Sequence, residues 1–497
     1  MELPPAWRDA ALRPPPAGAD PLPERRLARL LAAFIAAGLL FLLLPGTLVG
    51  VWNLLEIGAR HSAGRAAPAW IQAHGHAQLF GWVGTFIVGI SLYTVPKFRG
   101  AMPRSLAAGW VMFALWVGAV GARWGAAITA WHWREILPAT AAAELAVALL
   151  LVWQSTARGR SRRPDMLWNT LVFAGFAGFT ATMAVQLAVV WRLEGPLIPE
   201  RPNQLLLNMA LWLFCFPVVW GFATRLLPAL LGLAKTRGGV AWGALAALPA
   251  GLWHPAFLLA AVLLAAASLR IFERAPGQPK VTGVDPRYPF FVRLAFVWVV
   301  VAAALGAAGR SHGMTGASRH AFTVGFLATL IFAIAPRILP SFLNSRELWS
   351  TRLMLAALVL LTAGCVLRVA AEPPAYAGVA PWAWSVLPVS AILELAAVAL
   401  FAVNMGATLA SPMPTWILPR TADENLPLYW YVTSYPETRR LLVRAGLGTL
   451  GRAHRVPRAL TLKEAAEADG VDWQPLVALL RDFFVRRQAR ALRDKAC

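Results

Sequence analysis

Apolar stretches long enough to cross a bilayer run almost end to end through this chain. They lie at about 27–50, 73–96, 105–129, 136–155, 167–191, 204–231, 290–309, 317–340, 352–371 and 385–410, with a broken apolar region at 240–272. A helix needs about 20 apolar residues to span the hydrocarbon core, and only helices and closed barrels satisfy their backbone polar groups there. With 58% hydrophobic and 14% charged residues among 497, a water-soluble fold could not cover so much apolar surface. The pattern predicts an all-α polytopic membrane protein.

The ends differ from the middle. Residues 1–26 read as a Pro-rich charged tail, 27–410 as the transmembrane domain, 411–433 as a linker and 434–497 as a small soluble helical domain. From 427 to 497 the chain carries 13 Lys+Arg against 7 Asp+Glu. The helix count turns on 240–272, which suits one long tilted helix or two short ones folded between Pro249 and Pro255. An internal repeat favours two. His76, Asn208 and His320 precede Pro96, Pro228 and Pro340 by 20 residues each, and Pro138 and Pro388 precede Glu144 and Glu394 by six. Three parallel units of four helices make twelve. Charge agrees. With both termini in the cytoplasm, the inner loops at 97–104, 156–166, 229–239, 271–289 and 341–351 carry 13 Lys+Arg, more than the outer loops. The expectation is twelve transmembrane helices in three four-helix pseudo-repeats, although a 14-residue seventh helix is only about 21 Å long.

Several function classes drop out. Cys215, Cys365 and Cys497 are far apart, which excludes a disulfide framework, a zinc knuckle and a four-Cys iron–sulfur cluster. No Walker A, HExxH or GxSxG is present. The net charge of +22 fits cytoplasmic loops held against an anionic lipid bilayer rather than nucleic-acid binding.

On this topology His61, His74, His76, His132, His254, His312 and His320 all fall toward the outer side, and His454 lies in the tail. Clustering on one side suits metal or cofactor ligation, and it equally suits interfacial histidines. His74 and His76 are two residues apart, about 200° on a helix, so they cannot both face one neighbour. Gly81, Gly84 and Gly89 follow on the same helix, leaving room for close helix packing or for a flat macrocycle. His320 matches His76 in the repeat, so the two lie at equal depth, as a bis-imidazole haem requires. Arg319 could neutralise a haem propionate or be an interfacial charge. Glu144 and Glu394, deep in apolar helices, are candidates for a proton path or for bonding to a neighbouring helix, with Arg123 and Arg368 as possible partners. Arg225 and Arg337 read as snorkelling anchors.

These residues carry a resemblance. His74-Gly-His76-Ala-Gln-Leu-Phe-Gly, the run to Pro96-Lys-Phe, Arg319-His320-Ala-Phe-Thr-Val-Gly and Gly221…Arg225-Leu-Leu-Pro228 are similar to motifs of the NnrS family, over roughly residues 27–410. The resemblance implies a twelve-helix protein of the bacterial inner membrane, tied to nitric oxide metabolism and nitrosative stress. It also implies haem, here haem b, and copper. A distant likeness to the catalytic subunit of haem–copper oxidases implies a low-spin haem held by histidines of helices two and ten, here His76 and His320. The His-His pair, the sixth-helix His and the second tenth-helix His of that pattern are missing, Ser318 standing at the last, so a complete oxygen- or NO-reducing centre is not expected. The run Tyr435-Pro-Glu-Thr-Arg-Arg with Gly446 and Gly448 is similar to the small helical domain of iron–sulfur-cluster repair proteins. Thr449 and Arg452 stand where that domain has cysteines, which leaves a cytoplasmic protein partner or a stabilising cap as its role.

Two functional classes follow: a haem-binding protein of nitric oxide response, or a transporter of small molecules or metal ions with a path past Glu144 and Glu394. A degenerate haem–copper-type reductase is third. The position-matched histidines favour the first, because transport does not need them.

Overall fold

A computed structural model describes residues 4–12, 22–62, 64, 66–157, 165–281, 283–309, 311–343, 348–410, 422–453, 456–457 and 459–493. The described residues are helical, with one isolated bridge between Pro427 and Thr461 and no strand. The chain divides into two compact units, Arg26–Ser411 and the paired segments Met1–Arg25 and Pro412–Cys497.

Among the described residues of the larger unit, ten helices are long and apolar enough to cross a membrane. They are α2 (Arg26–Arg60), α3 (Pro68–Phe98), α4 (Leu106–Thr129), α5 (Trp133–Ser155), α6 (Met166–Val190), α7 (Glu200–Leu231), α10 (Tyr288–Ala308), α11 (Gly313–Phe342), α12 (Thr351–Tyr376) and α13 (Ala383–Ala410). The broken region folds as two shorter apolar helices, α8 (Gly238–Ala250) and α9 (Pro255–Leu269), which pack on each other. Pro255 opens α9, where its missing N–H costs nothing, and His254 caps it by accepting the Ala256 N–H at 3.3 Å.

Three helices sit at the centre. In α3, α7 and α11, 94%, 67% and 72% of the most apolar window is buried, against 33–56% in the other seven. Each carries a π-helical stretch: Ala77–Gly84, Met209–Cys215 and Ala321–Ala328. These begin directly after His76, Asn208 and His320. A π segment inserts extra residues into a turn, re-aims the side chains around it and recurs at functional sites. A fourth runs over Leu42–Leu48 in α2, around Pro45.

Sequence spacing left open what Gly81, Gly84 and Gly89 make room for. A Cβ at these positions would meet Phe41, Trp116 and Phe34, so the glycines serve helix packing and present no bare face to a macrocycle.

The helix pairs α4–α5 and α12–α13 repeat one construction. Ser105 caps α4 by accepting the Ala108 N–H, and Gln154 clasps the Ser105 backbone at 3.1 and 2.6 Å. Ser350 caps α12 by accepting the Leu353 N–H, and Asn404 clasps the Ser350 backbone at 2.9 and 2.8 Å. Arg123 and Arg368 lie 18 residues after these serines, and Glu144 and Glu394 lie ten before the clasping amides.

The smaller unit joins α1 (Pro5–Leu12) to α14 (Leu428–Ser434), α15 (Pro436–Arg444), α16 (Gly448–Arg452), α17 (Leu462–Ala468) and α18 (Trp473–Arg493). Trp7 of α1 is wholly buried with Leu428, Tyr431, Leu442, Leu450, Leu462 and Leu480. Thr461 and Glu464 form a capping box that starts α17. Thr449 donates its hydroxyl to Asp469, which also accepts its N–H at 3.0 Å, a structural tie at one of the positions where the resembled domain has cysteine. Burial pushes the Tyr431 phenol well above its ordinary range, and its hydroxyl donates to the Asp423 carbonyl at 2.8 Å.

Candidate functional site

The central helices enclose a cavity of about 1080 Å³. Its apolar lining includes Leu54, Leu79, Val83, Leu137 and Val398, and into it project His74, His76, Arg123, Gln186, Arg319, His320, Arg368, Glu372 and Glu394. A few convergent polar groups in an apolar chamber of this size is the usual form of a small-molecule or cofactor site. A shallower, open depression beside Arg104 lacks such convergence.

Helix α3 starts at Pro68, five residues before the apolar window begins, so His74 and His76 lie two turns inside it. As their spacing requires, they diverge. His74 points toward α2, where its Nδ1 lies 2.8 Å from the Gly46 carbonyl and its ring lies against Gly50. A carbonyl only accepts, so Nδ1 carries the proton and Nε2 keeps a free lone pair. His76 points toward α5, where its Nε2 is 3.4 Å from Glu144 Oε1. Gln186 of α6 donates to the other Glu144 oxygen, and Arg123 of α4 lies within electrostatic reach.

On α11, the His320 Nδ1 is 3.0 Å from the Gly316 carbonyl, which again leaves Nε2 free, with Glu372 Oε2 behind it at 3.7 Å. Gly316 lets the Glu372 carboxylate come in, since a Cβ there would collide with it. Arg368 Nε is 3.2 Å from the same Glu372 oxygen. Arg319 donates to Gln204 of α7. Arg368 also lies within reach of Glu394, whose Oε1 is buried without a hydrogen bond.

Arg123, Arg319, Arg368 and Glu394 therefore line the cavity, and Glu144 stands behind His76, with one addition. Glu372 was not foreseen. It falls just past the apolar stretch ending at 371 and before Pro373-Pro374, which reads as a loop, yet α12 continues to Tyr376. The available signal was its position four residues after Arg368, one helical turn on the same face. Other histidines stay apart. His61 lines the cavity rim, stacked on Trp384 at 5.8 Å, while His132 is exposed beside Glu135 and His254 caps α9. His454 and the His312 side chain lie outside the described residues. Arg225 sits over the rings of Phe98 and Trp168, and Arg337 donates to the Lys280 carbonyl at 3.3 Å. Among the described residues, no group of three or more His, Cys, Asp or Glu is placed to hold a metal ion.

The family model for NnrS protein matches residues 30–413, most of the chain and, apart from the first residues of α2, its ten long apolar helices. The chain belongs to the NnrS family. A search among curated proteins finds no match. NnrS membership fits a multi-pass membrane protein related to nitric oxide. His74, His76, His320 and their carboxylate and arginine neighbours lie inside the matched region, and the smaller terminal unit lies almost wholly outside it.

Proposed function

We propose that this NnrS protein is a haem-binding protein of nitric oxide metabolism and nitrosative-stress response, holding haem b in the central cavity between α3 and α11. The carrying observation is the convergence of His74, His76 and His320 on one buried chamber. Unsatisfied buried polar atoms support the fit: Nη1 of Arg123, Nε of Arg319 and Nη1 of Arg368 have no hydrogen-bond partner. Orphaned groups of this kind are costly unless something meets them. His320 and one histidine of α3 would hold the iron, and the arginines would meet the propionates. A bound haem would supply a redox-active iron centre, to which nitric oxide could bind by displacing one of the two imidazoles. The protein's part is to orient the imidazoles, exclude water and balance charge. Copper has no comparable support here.

Localisation belongs to the same reading. Trp7 packs in the core formed by the C-terminal helices, which supports α1 and those helices sharing one side of the membrane and an even number of crossings between them. The Lys+Arg bias supports that side being the cytoplasm of a bacterial inner membrane. With α8 and α9 both crossing, the count is twelve, and the shared construction of α4–α5 and α12–α13 supports the repeat. The terminal unit is then a cytoplasmic surface for a protein partner.

One observation favours the transporter alternative: Glu372 and Glu394 line the cavity and Glu144 lies just behind His76, as a cation or proton path requires. Visible absorption spectra of the purified full chain, oxidised and reduced, with haem counted per protein, separate the two. A low-spin haem at near-unit occupancy is expected. A colourless, well-assembled protein would leave the transporter.

A further inference from the structure

Repeat register pairs His320 with His76. Hydrogen bonding points elsewhere. We infer that His74 of α3, not His76, is the partner of His320 in binding haem across the cavity, and that His76 is held by Glu144 in a separate cluster. The inference rests on the haem reading above and specifies its ligands.

Three observations carry it. First, a histidine that ligates iron through Nε2 needs Nδ1–H committed to an acceptor, which fixes the tautomer and the ring plane. His74 meets this through Gly46 O at 2.8 Å and His320 through Gly316 O at 3.0 Å. His76 does not, because its Nδ1 has no hydrogen-bond partner and its Nε2 faces Glu144. Second, both rings are seated by glycines. A Cβ at Gly50 would come within 2.8 Å of His74 Nδ1, and one at Gly316 would displace the Glu372 carboxylate behind His320. Third, direction separates the candidates. His76 Nε2 faces Glu144 at 3.4 Å, with Gln186 and Arg123 completing that cluster, whereas His74 and His320 lie within electrostatic reach of each other. A ring nitrogen turned toward a carboxylate carries the proton, so Nε2 of His76 has no lone pair to offer a metal across the chamber.

The test uses the full chain purified in detergent, with haem content, absorption spectra and electron paramagnetic resonance as readouts. His74→Ala and His320→Ala should each lose the six-coordinate low-spin signal, and added imidazole should restore it. His76→Ala should keep it. Gly50→Ala retains the imidazole but crowds its ring, and should weaken haem retention by about 10–100-fold, the usual effect of disturbing a ligand's supporting contacts. His74→Met, which keeps a strong donor and similar bulk, should shift the spectrum rather than abolish it. Loss of the signal in His76→Ala, with retention in both His74 variants, would overturn the assignment while leaving haem binding intact. Wild type without haem would overturn the functional proposal itself. Gel filtration of each variant separates ligand loss from misassembly, and the imidazole rescue distinguishes a ligand from a residue needed only for folding.

Discussion

At the residue scale, the cavity is held by ion pairs taken out of water. Arg368 and Glu372 are both nearly inaccessible and lie 3.2 Å apart one turn along α12. Such a pair adds little net stability over a well-packed apolar pair, because desolvation offsets its attraction, yet losing one partner strands the other charge. Glu372→Gln should therefore destabilise the protein by about 3–5 kcal/mol. Adding Arg368→Met should recover much of that loss, so thermal unfolding of the single and double variants would show strong coupling. Additive losses would mean that the two side chains act independently and that the pair does not organise the cavity wall.

At the element scale, close approach of backbones fixes where the central helices stand. Gly178 of α6 faces the Leu213 backbone in the π-helical stretch of α7, and an added Cβ would overlap that carbonyl. Backbone cannot swing aside as a flexible side chain can. Gly178→Ala should cost about 1–3 kcal/mol through overpacking. Gly118 of α4 is the matched control, with nothing within 4 Å of an added Cβ. Gly118→Ala should be neutral or stabilising by up to about 1 kcal/mol, since alanine suits a helix interior better than glycine. Equal melting shifts for the two would contradict the close α6–α7 packing. The π-helical stretches belong to this scale too. Hydrophobic periodicity over some twenty residues marks the spans but does not resolve a local insertion, so no sequence signal announced them.

For the whole molecule, Trp7 ties the chain's beginning to its end. Reporter tags at Met1 and Cys497 should both read the cytoplasm, and opposite readings would exclude an even number of crossings. Trp7→Ala should destabilise the terminal unit by about 3–5 kcal/mol, the range for deleting a large buried aromatic, and expose it to protease in inside-out vesicles. Unchanged protection would mean that α1 is not part of that core.

The membrane helices, the break near Pro249–Pro255, the family and the roster of candidate histidines, arginines and carboxylates were all determined by the sequence alone. These depend on composition and short-range spacing, which a single chain displays directly. The 20-residue intervals also set His76 and His320 at equal distance from their prolines. Direction was not legible. His74 meets Gly46 across 28 positions and His76 meets Glu144 across 68, and neither interval has a periodicity to betray it. Glu372 joined the site because α12 runs on through two prolines, and Trp7 joined the terminal core from the opposite end of the chain. Only the tertiary structure decided those matters, because a helix fixes the angle between its own residues while its rotation against its neighbours is set by packing.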